Sequence, residues 1–271
     1  MAMADLVLPG LTLLATGAFA GVLAGLLGVG GGIVLVPAFL FVFAQAGYDG
    51  PDLMQICLAT SLATIIVTSL RSVSSHHRKG AVDWPILKGW APGIAIGALL
   101  GVLTVGSLRT HVLQMIFAVL VIVIATYMAV SRPHWRLADR MPEGWRRRLI
   151  SPLIGFLSVL LGIGGGSIGV PLMSLHGRPI HRAVATSAGF GVLIAVPSVA
   201  TFLLLPATNA PPWTVGSVNL PAFLVTISMT LITAPMGAAL AHRTDPPRLK
   251  RYFAIFLFLV ALNMLRKALA G

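Results

Sequence analysis

"GLLGVGGGIVLVP", residues Gly25 to Pro37, sets four glycines within the five positions Gly28–Gly32, between two apolar runs. Glycine loses more backbone entropy on folding than any other residue and weakens a helix by about 1 kcal/mol relative to alanine, so the cluster needs a compensating reason. A dinucleotide fingerprint is excluded, because Gly28 and Gly30 are followed by Ile33 where a third glycine is required. A phosphate loop is excluded too, since no glycine-lysine-serine or glycine-lysine-threonine tripeptide occurs in the chain.

Composition supplies the setting. Hydrophobic residues make up 57% of the chain and charged residues 10%, with a mean hydropathy of +0.93, the balance of a polytopic membrane protein. Runs long enough to span, about 20 residues each, occupy Leu53 to Leu70, Ile86 to Val105, Val112 to Val130, Ala183 to Leu205, Leu220 to Ala241 and Tyr252 to Leu269. The net charge of +12 is scattered through short loops without a basic stripe, which excludes nucleic acid as a partner and leaves the lipid bilayer. Cys57 is the only cysteine, so neither an internal disulfide nor a cysteine metal cluster is possible. His76 and His77 have no second ligand set at metal spacing, and no metal or cofactor is expected. The apolar Leu6 to Ala20 lacks the basic flank of a signal peptide, the first Lys or Arg being Arg71.

The glycine motif returns as "LLGIGGGSIGVP", Leu160 to Pro171. Gly28, Gly30, Gly31, Gly32, Val36 and Pro37 match Gly162, Gly164, Gly165, Gly166, Val170 and Pro171. The correspondence continues in order: "ATS" at Ala59–Ser61 and Ala185–Ser187, "GAVDWP" at Gly80–Pro85 and "GSVNLP" at Gly216–Pro221, then Phe117-Ala118 and Phe253-Ala254. The chain therefore divides into a first repeat at 1–131, a basic linker at 132–148 and a second repeat at 149–271. Each repeat holds a short helix pair interrupted by glycines, then three full transmembrane helices.

The linker carries six arginines against Asp139 and Glu143, which assigns it to the cytoplasm. Tracing outward puts Arg78, Lys79, Arg178, Arg182 and Arg243 to Arg251 inside, and the loops Gly47–Asp52 and Pro206–Val218, which lack basic residues, outside. Only Arg109, Arg266 and Lys267 fall on the less favoured side. An odd number of crossings per repeat inverts the second relative to the first, an arrangement characteristic of transporters.

Ile33–Ala46 would form a helix about 21 Å long and Ile168–Leu175 one about 12 Å long, against a hydrocarbon core near 30 Å. Re-entrant or broken hairpins with the glycine loops deep in the membrane are expected, since irregular backbone is tolerated there only in a protein-lined setting. A helix starting after Gly32, or after Gly166 and Ser167, would offer free N–H groups and a positive dipole end to a small anion. The candidate substrate-binding residues are Gly28, Gly30, Gly31, Gly32, Thr60, Ser61, Gly162, Gly164, Gly165, Gly166, Ser167, Thr186 and Ser187. The four hydroxyl residues of the two "ATS" motifs either donate to substrate or bond back to their own helices. Gly17, Gly21 and Gly25, and Gly93, Gly97 and Gly101, are expected to be helix-packing positions instead. Arg71 is expected to snorkel, and Pro92, Pro197 and Pro235 to kink their helices.

The glycine loops, "ATSL" at Ala59–Leu62 and "GAVDWP" together resemble the TauE/SafE family of sulfite exporters. That resemblance covers nearly the whole chain and implies a multi-pass protein of a prokaryotic cytoplasmic membrane that exports sulfite or an organosulfonate such as sulfoacetate. All seven acids, Asp5, Asp49, Asp52, Asp83, Asp139, Glu143 and Asp245, lie in loops, termini or span edges, so no intramembrane carboxylate is available for proton coupling. An enzyme would need a nucleophile and base, and the spans offer mainly Ser, Thr, Tyr127 and Asn263. A passive anion channel or an interaction subunit is the alternative reading. Oligomeric state has no signature in the sequence.

Overall fold

A computed structural model describes residues 3–27, 31–131, 135–241 and 246–270. In chain order the helices are α1 (Met3–Leu27), α2 (Gly32–Gln45), α3 (Leu53–Arg78), α4 (Trp84–Ser107), α5 (Thr110–Val130), α6 (Gly144–Leu160), α7 (Gly166–Leu175), α8 (Ile180–Phe202), α9 (Leu220–Ala241) and α10 (Pro246–Ala270). Among the described residues, six helices are long and apolar enough to cross a membrane: α3, α4, α5, α8, α9 and α10. The protein is an all-α polytopic membrane protein.

Helices α3 and α8 form the centre, with 78% and 61% of their apolar spans buried, against at most 44% for the other four. They pack on each other, while α1 lies on α9, α4 on α6 and α5 on α10. If α6–α10 is counted as a second run of α1–α5, these contacts exchange among themselves: α1 on α9 becomes α6 on α4. The outer helices turn Ile96, Leu103, Val123, Ile232, Leu259 and other large apolar side chains outward, as a lipid-facing belt requires.

The seams between outer helices account for the glycine stripes. A Cβ on Gly17 would lie 3.2 Å from Thr226 Cα of α9, and one on Gly21 would collide with Thr233. On α4, a Cβ at Gly97 would overlap the Pro152 carbonyl of α6, and Gly93 and Gly101 face Ser151 and Val159 of the same helix. The expected packing role of these positions is borne out: backbones approach closely where dispersion, rather than water exclusion, holds helices together.

Two boundaries differ from the sequence reading. Helix α6 starts at Gly144, so the last five residues of the 132–148 linker are helical; Gly144, with φ +59°, supplies the sharp entry. A two-stranded hairpin, Thr214–Val215 against Val218–Asn219, lies within the uncharged loop before α9 and was not anticipated.

Loops on each end tie the halves together. Asp52 accepts hydrogen bonds from Thr208 N (2.9 Å) and Oγ1 (2.7 Å) across the halves, and within the first half Thr110 Oγ1 donates to Pro51 O at 2.7 Å. In the other set, Arg178 pairs with Asp83 at 3.7 Å, and Leu137 N in the linker donates to Leu175 O at 2.7 Å, satisfying a terminal carbonyl of α7.

Candidate functional site

Both short helices begin at the glycines themselves. Helix α2 starts at Gly32 and α7 at Gly166, so Gly32, Gly166 and Ser167 belong to first turns rather than preceding them. Gly31, the N-cap of α2, has φ +73°, and its carbonyl takes the N–H groups of Val34 and Leu35 at 3.0 and 3.1 Å. Gly162 also sits in the left-handed region, at φ +57°. These two positions need glycine for conformation. Gly28 and Gly30 lie outside the described residues.

The loops meet. A Cβ on Gly32 would overlap the Gly162 carbonyl and lie 3.0 Å from Ile163 Cα, while a Cβ on Gly162 would lie 2.6 Å from Val36 of α2. Helix α3 supplies the wall: Ser61 donates to Gly162 O at 2.7 Å, Ile65 borders both Gly32 and Gly164, and Ser69 reaches Gly191 of α8. Ser61, Ile65 and Ser69 are four residues apart, one face of a helix, and that spacing is the signal by which Ser69 could have been noticed. Gly165 is held against α8, where an added Cβ would overlap Phe190 and lie 2.7 Å from Ser187 O.

The "ATS" threonines have a structural role that the sequence reading did not include. Thr186 Oγ1 accepts from Asp83 N at 2.9 Å, and Thr60 Oγ1 accepts from Asn219 N at 3.0 Å. Asp83 and Asn219 are matched residues of the two repeats, and their side chains in turn accept from Ile86 N and Ala222 N at the starts of α4 and α9. Each threonine thus anchors a helix cap in the opposite half by accepting a backbone N–H. Such caps contribute about 1 kcal/mol apiece. The Asp83 and Asn219 links are long-range, which kept them out of the sequence reading.

Two site hydroxyls remain unpartnered. Ser167 Oγ and Ser187 Oγ are buried, at 8% and 0% residue exposure, without a hydrogen bond. Ser187 lies beside α7, its Oγ 2.7 Å from where a Gly169 Cβ would stand. The N–H groups of Gly166, Ser167 and Ile168 also find no backbone acceptor among the described residues, the first intrahelical bond running from Gly169 N to Gly165 O at 2.7 Å. Chemically this is a cluster of neutral donors at a positive helix end, suited to oxygen acceptors.

Cations stand apart from it. Arg71 is exposed, as expected of a snorkelling residue, and His77 Nδ1 accepts the indole N–H of Trp84 at 3.2 Å between the ends of α3 and α4. The described carboxylates are equally peripheral: Asp49, Asp139 and Glu143 are exposed, and Asp52 and Asp83 precede α3 and α4.

Known proteins place this architecture. The family model described as Sulfite exporter TauE/SafE matches residues 13–264. A probable membrane transporter protein of Haemophilus influenzae is 33% identical over 256 residues, covering 94% of this chain and 97% of its own. One from Methanocaldococcus jannaschii is 28% identical over 260 residues, covering 93% and 94%, and one from Bacillus subtilis is 32% identical over 199 residues, covering 65% and 71%. No solved structure matches the chain.

Proposed function

Because the chain belongs to the sulfite exporter TauE/SafE family, a family of membrane transporters, we propose that it exports a small sulfur-containing anion across the cytoplasmic membrane, sulfite or an organosulfonate such as sulfoacetate. The carrying observation is the meeting of the two glycine loops beside α3 and α8, with two helix starts and the buried, unpartnered Ser167 and Ser187 beside them. The anion is bound near the membrane midplane at Gly31, Gly32, Gly165 and Gly166, chiefly by backbone N–H groups.

The two repeats are inverted relative to each other, so that one loop arrives from each side. Supporting this, the interloop bonds of Asp52 with Thr208 join loops that the charge trace assigns outside, and those of Asp83 with Arg178 and Thr186 join segments it assigns inside. Energetically, an anion leaving a negative-inside cell gains about 2.3 kcal/mol per charge per 100 mV, and the absence of a carboxylate from the described spans makes that potential the driving force.

Counterflow tests the carrier reading. Proteoliposomes preloaded with unlabelled sulfite should accumulate labelled sulfite transiently and saturably; linear, non-saturating entry without overshoot would indicate a channel, and no entry above protein-free vesicles an interaction subunit.

A further inference from the structure

We propose that the side-chain donors to the oxyanion come from the second half, the Ser167 and Ser187 hydroxyls beside the first-turn N–H groups of α7, while the first-half loop contributes backbone alone. This assignment rests on the reading of the glycine loops as the substrate site.

The argument is an asymmetry inside a repeated scaffold. The glycine alignment puts Ile33 where Ser167 stands, and the "ATS" alignment puts Ser61 where Ser187 stands. Ile33 has no donor. Ser61 has one, but its proton is committed to Gly162 O at 2.7 Å. Ser167 and Ser187 are buried and unpartnered, and Ser158, one turn before the second loop on α6, is likewise buried without a partner where the first half has Ala24. A hydroxyl on a helix ordinarily finds the carbonyl four residues back, as Ser198 does with Ile194 O at 2.7 Å and Thr230 with Thr226 O at 2.8 Å. Ser187 does not, although it lies in α8 with a full turn before it.

Positions within α7 distribute these donors around one helix end. Gly165 and Gly169 face α8 and Ser187, whereas Ser167, about 200° round from either, projects from the opposite side of the first turn. Two hydroxyls flanking three free N–H groups suit an anion with several acceptor oxygens and no obligatory donor, which describes sulfite and the sulfonate group. At the start of α2 the Gly32 and Ile33 N–H groups likewise find no backbone acceptor among the described residues, but Val34 N–H is taken by Gly31 O and no unpartnered hydroxyl of α2 stands with them.

Titration of sulfite into the purified full-length protein separates the possibilities. Ser167→Ala and Ser187→Ala should each raise the Kd about tenfold, the loss of one hydrogen bond to a charged group, without lowering the Tm. Ser61→Ala should lower the Tm instead, by freeing the Gly162 carbonyl. Thr226→Val, which removes another unpartnered hydroxyl on the α1–α9 seam, should change neither affinity nor folding yield. Wild-type binding with Ser167→Ala and Ser187→Ala unchanged, or a greater loss of affinity in Ser61→Ala, would overturn the assignment of the side-chain donors to the second half. Absence of saturable sulfite binding by the wild type would overturn the reading of the loops as a site, and this assignment with it.

Discussion

The first and second halves share their helix order, their glycine loops and even their caps, with Thr60 holding Asn219 as Thr186 holds Asp83. They part company in polarity. Around the second loop stand unpartnered serines; around the first, Ile33 and a Ser61 whose hydroxyl is occupied. At the cap positions, Asp83 carries a charge paired with Arg178, whereas Asn219 is buried and donates to Pro212 O and Thr214 Oγ1 at 3.1 and 3.0 Å. Backbone close approach needs the same residues in both halves, so packing keeps the repeat symmetrical. Side-chain chemistry is free to differ, and on the assignment proposed above it marks which half supplies the hydroxyl donors.

Substitutions can break that comparison at graded cost. The largest effect belongs to Asn219→Asp, which puts a carboxylate where Pro212 O and Thr214 Oγ1 now receive an amide; an uncompensated buried charge costs about 3–5 kcal/mol, and the folded yield should collapse. Gly165→Ala comes next, since its Cβ would overlap Phe190 and neither Ser187 O nor Gly191 N, at 2.7 and 2.9 Å, can move without shifting backbone. A loss of about 3 kcal/mol is expected from such overpacking, measured by thermal unfolding in detergent. Gly10→Ala, where a Cβ meets nothing within 4 Å, should be neutral or slightly stabilising. If the two glycine variants unfold alike, close approach is not what the loops require.

Thr60→Val and Thr186→Val probe what the halves have in common. Each leaves one buried N–H without its acceptor, at about 1–3 kcal/mol, and the two should agree within about 0.5 kcal/mol and add in the double variant. A marked inequality would mean that the caps are not equivalent. Smaller than these is Asp83→Asn. The side-chain oxygen that caps α4 is retained, and only the pair with the partly exposed Arg178 is lost, a change of about 1 kcal/mol or less. Removing the charge should therefore be mild in one half, and adding it severe in the other.

Much of the fold was legible because hydropathy and repetition are strong signals. All six long spans, the two short helices and the small-residue seams at Gly17, Gly21, Gly93, Gly97 and Gly101 follow from run length and spacing. The start of α6 was not, because Arg146, Arg147 and Arg148 suggest a solvated linker although arginine is a good helix former. Nor was the β-hairpin before α9, whose Gly216 at φ +57° opens a two-residue turn too short to leave a periodic pattern. The site was legible only in part. Glycine clusters announce themselves, but whether a serine hydroxyl closes on its own helix, on a carbonyl 101 residues away as in Ser61, or on nothing is decided by tertiary packing. The cap contacts of Thr60 and Thr186 are hidden for the same reason: their partners are 159 and 103 residues distant.

Inversion of the halves has its own direct check. In a Cys57→Ser background, cysteines at the exposed Ala138 and Pro206 should react with a membrane-impermeant maleimide from opposite sides. Labelling of both from one side would contradict it.

The central claim is that an oxyanion leaves through this protein down the membrane potential, without a coupled proton. Its most direct measurement is efflux of labelled sulfite from proteoliposomes whose potential is clamped with potassium and valinomycin, corrected for protein-free vesicles. The account predicts that an inside-negative potential accelerates efflux and an inside-positive one slows it, with a transmembrane pH gradient adding nothing at fixed potential. Efflux that follows the pH gradient and ignores the potential would contradict it.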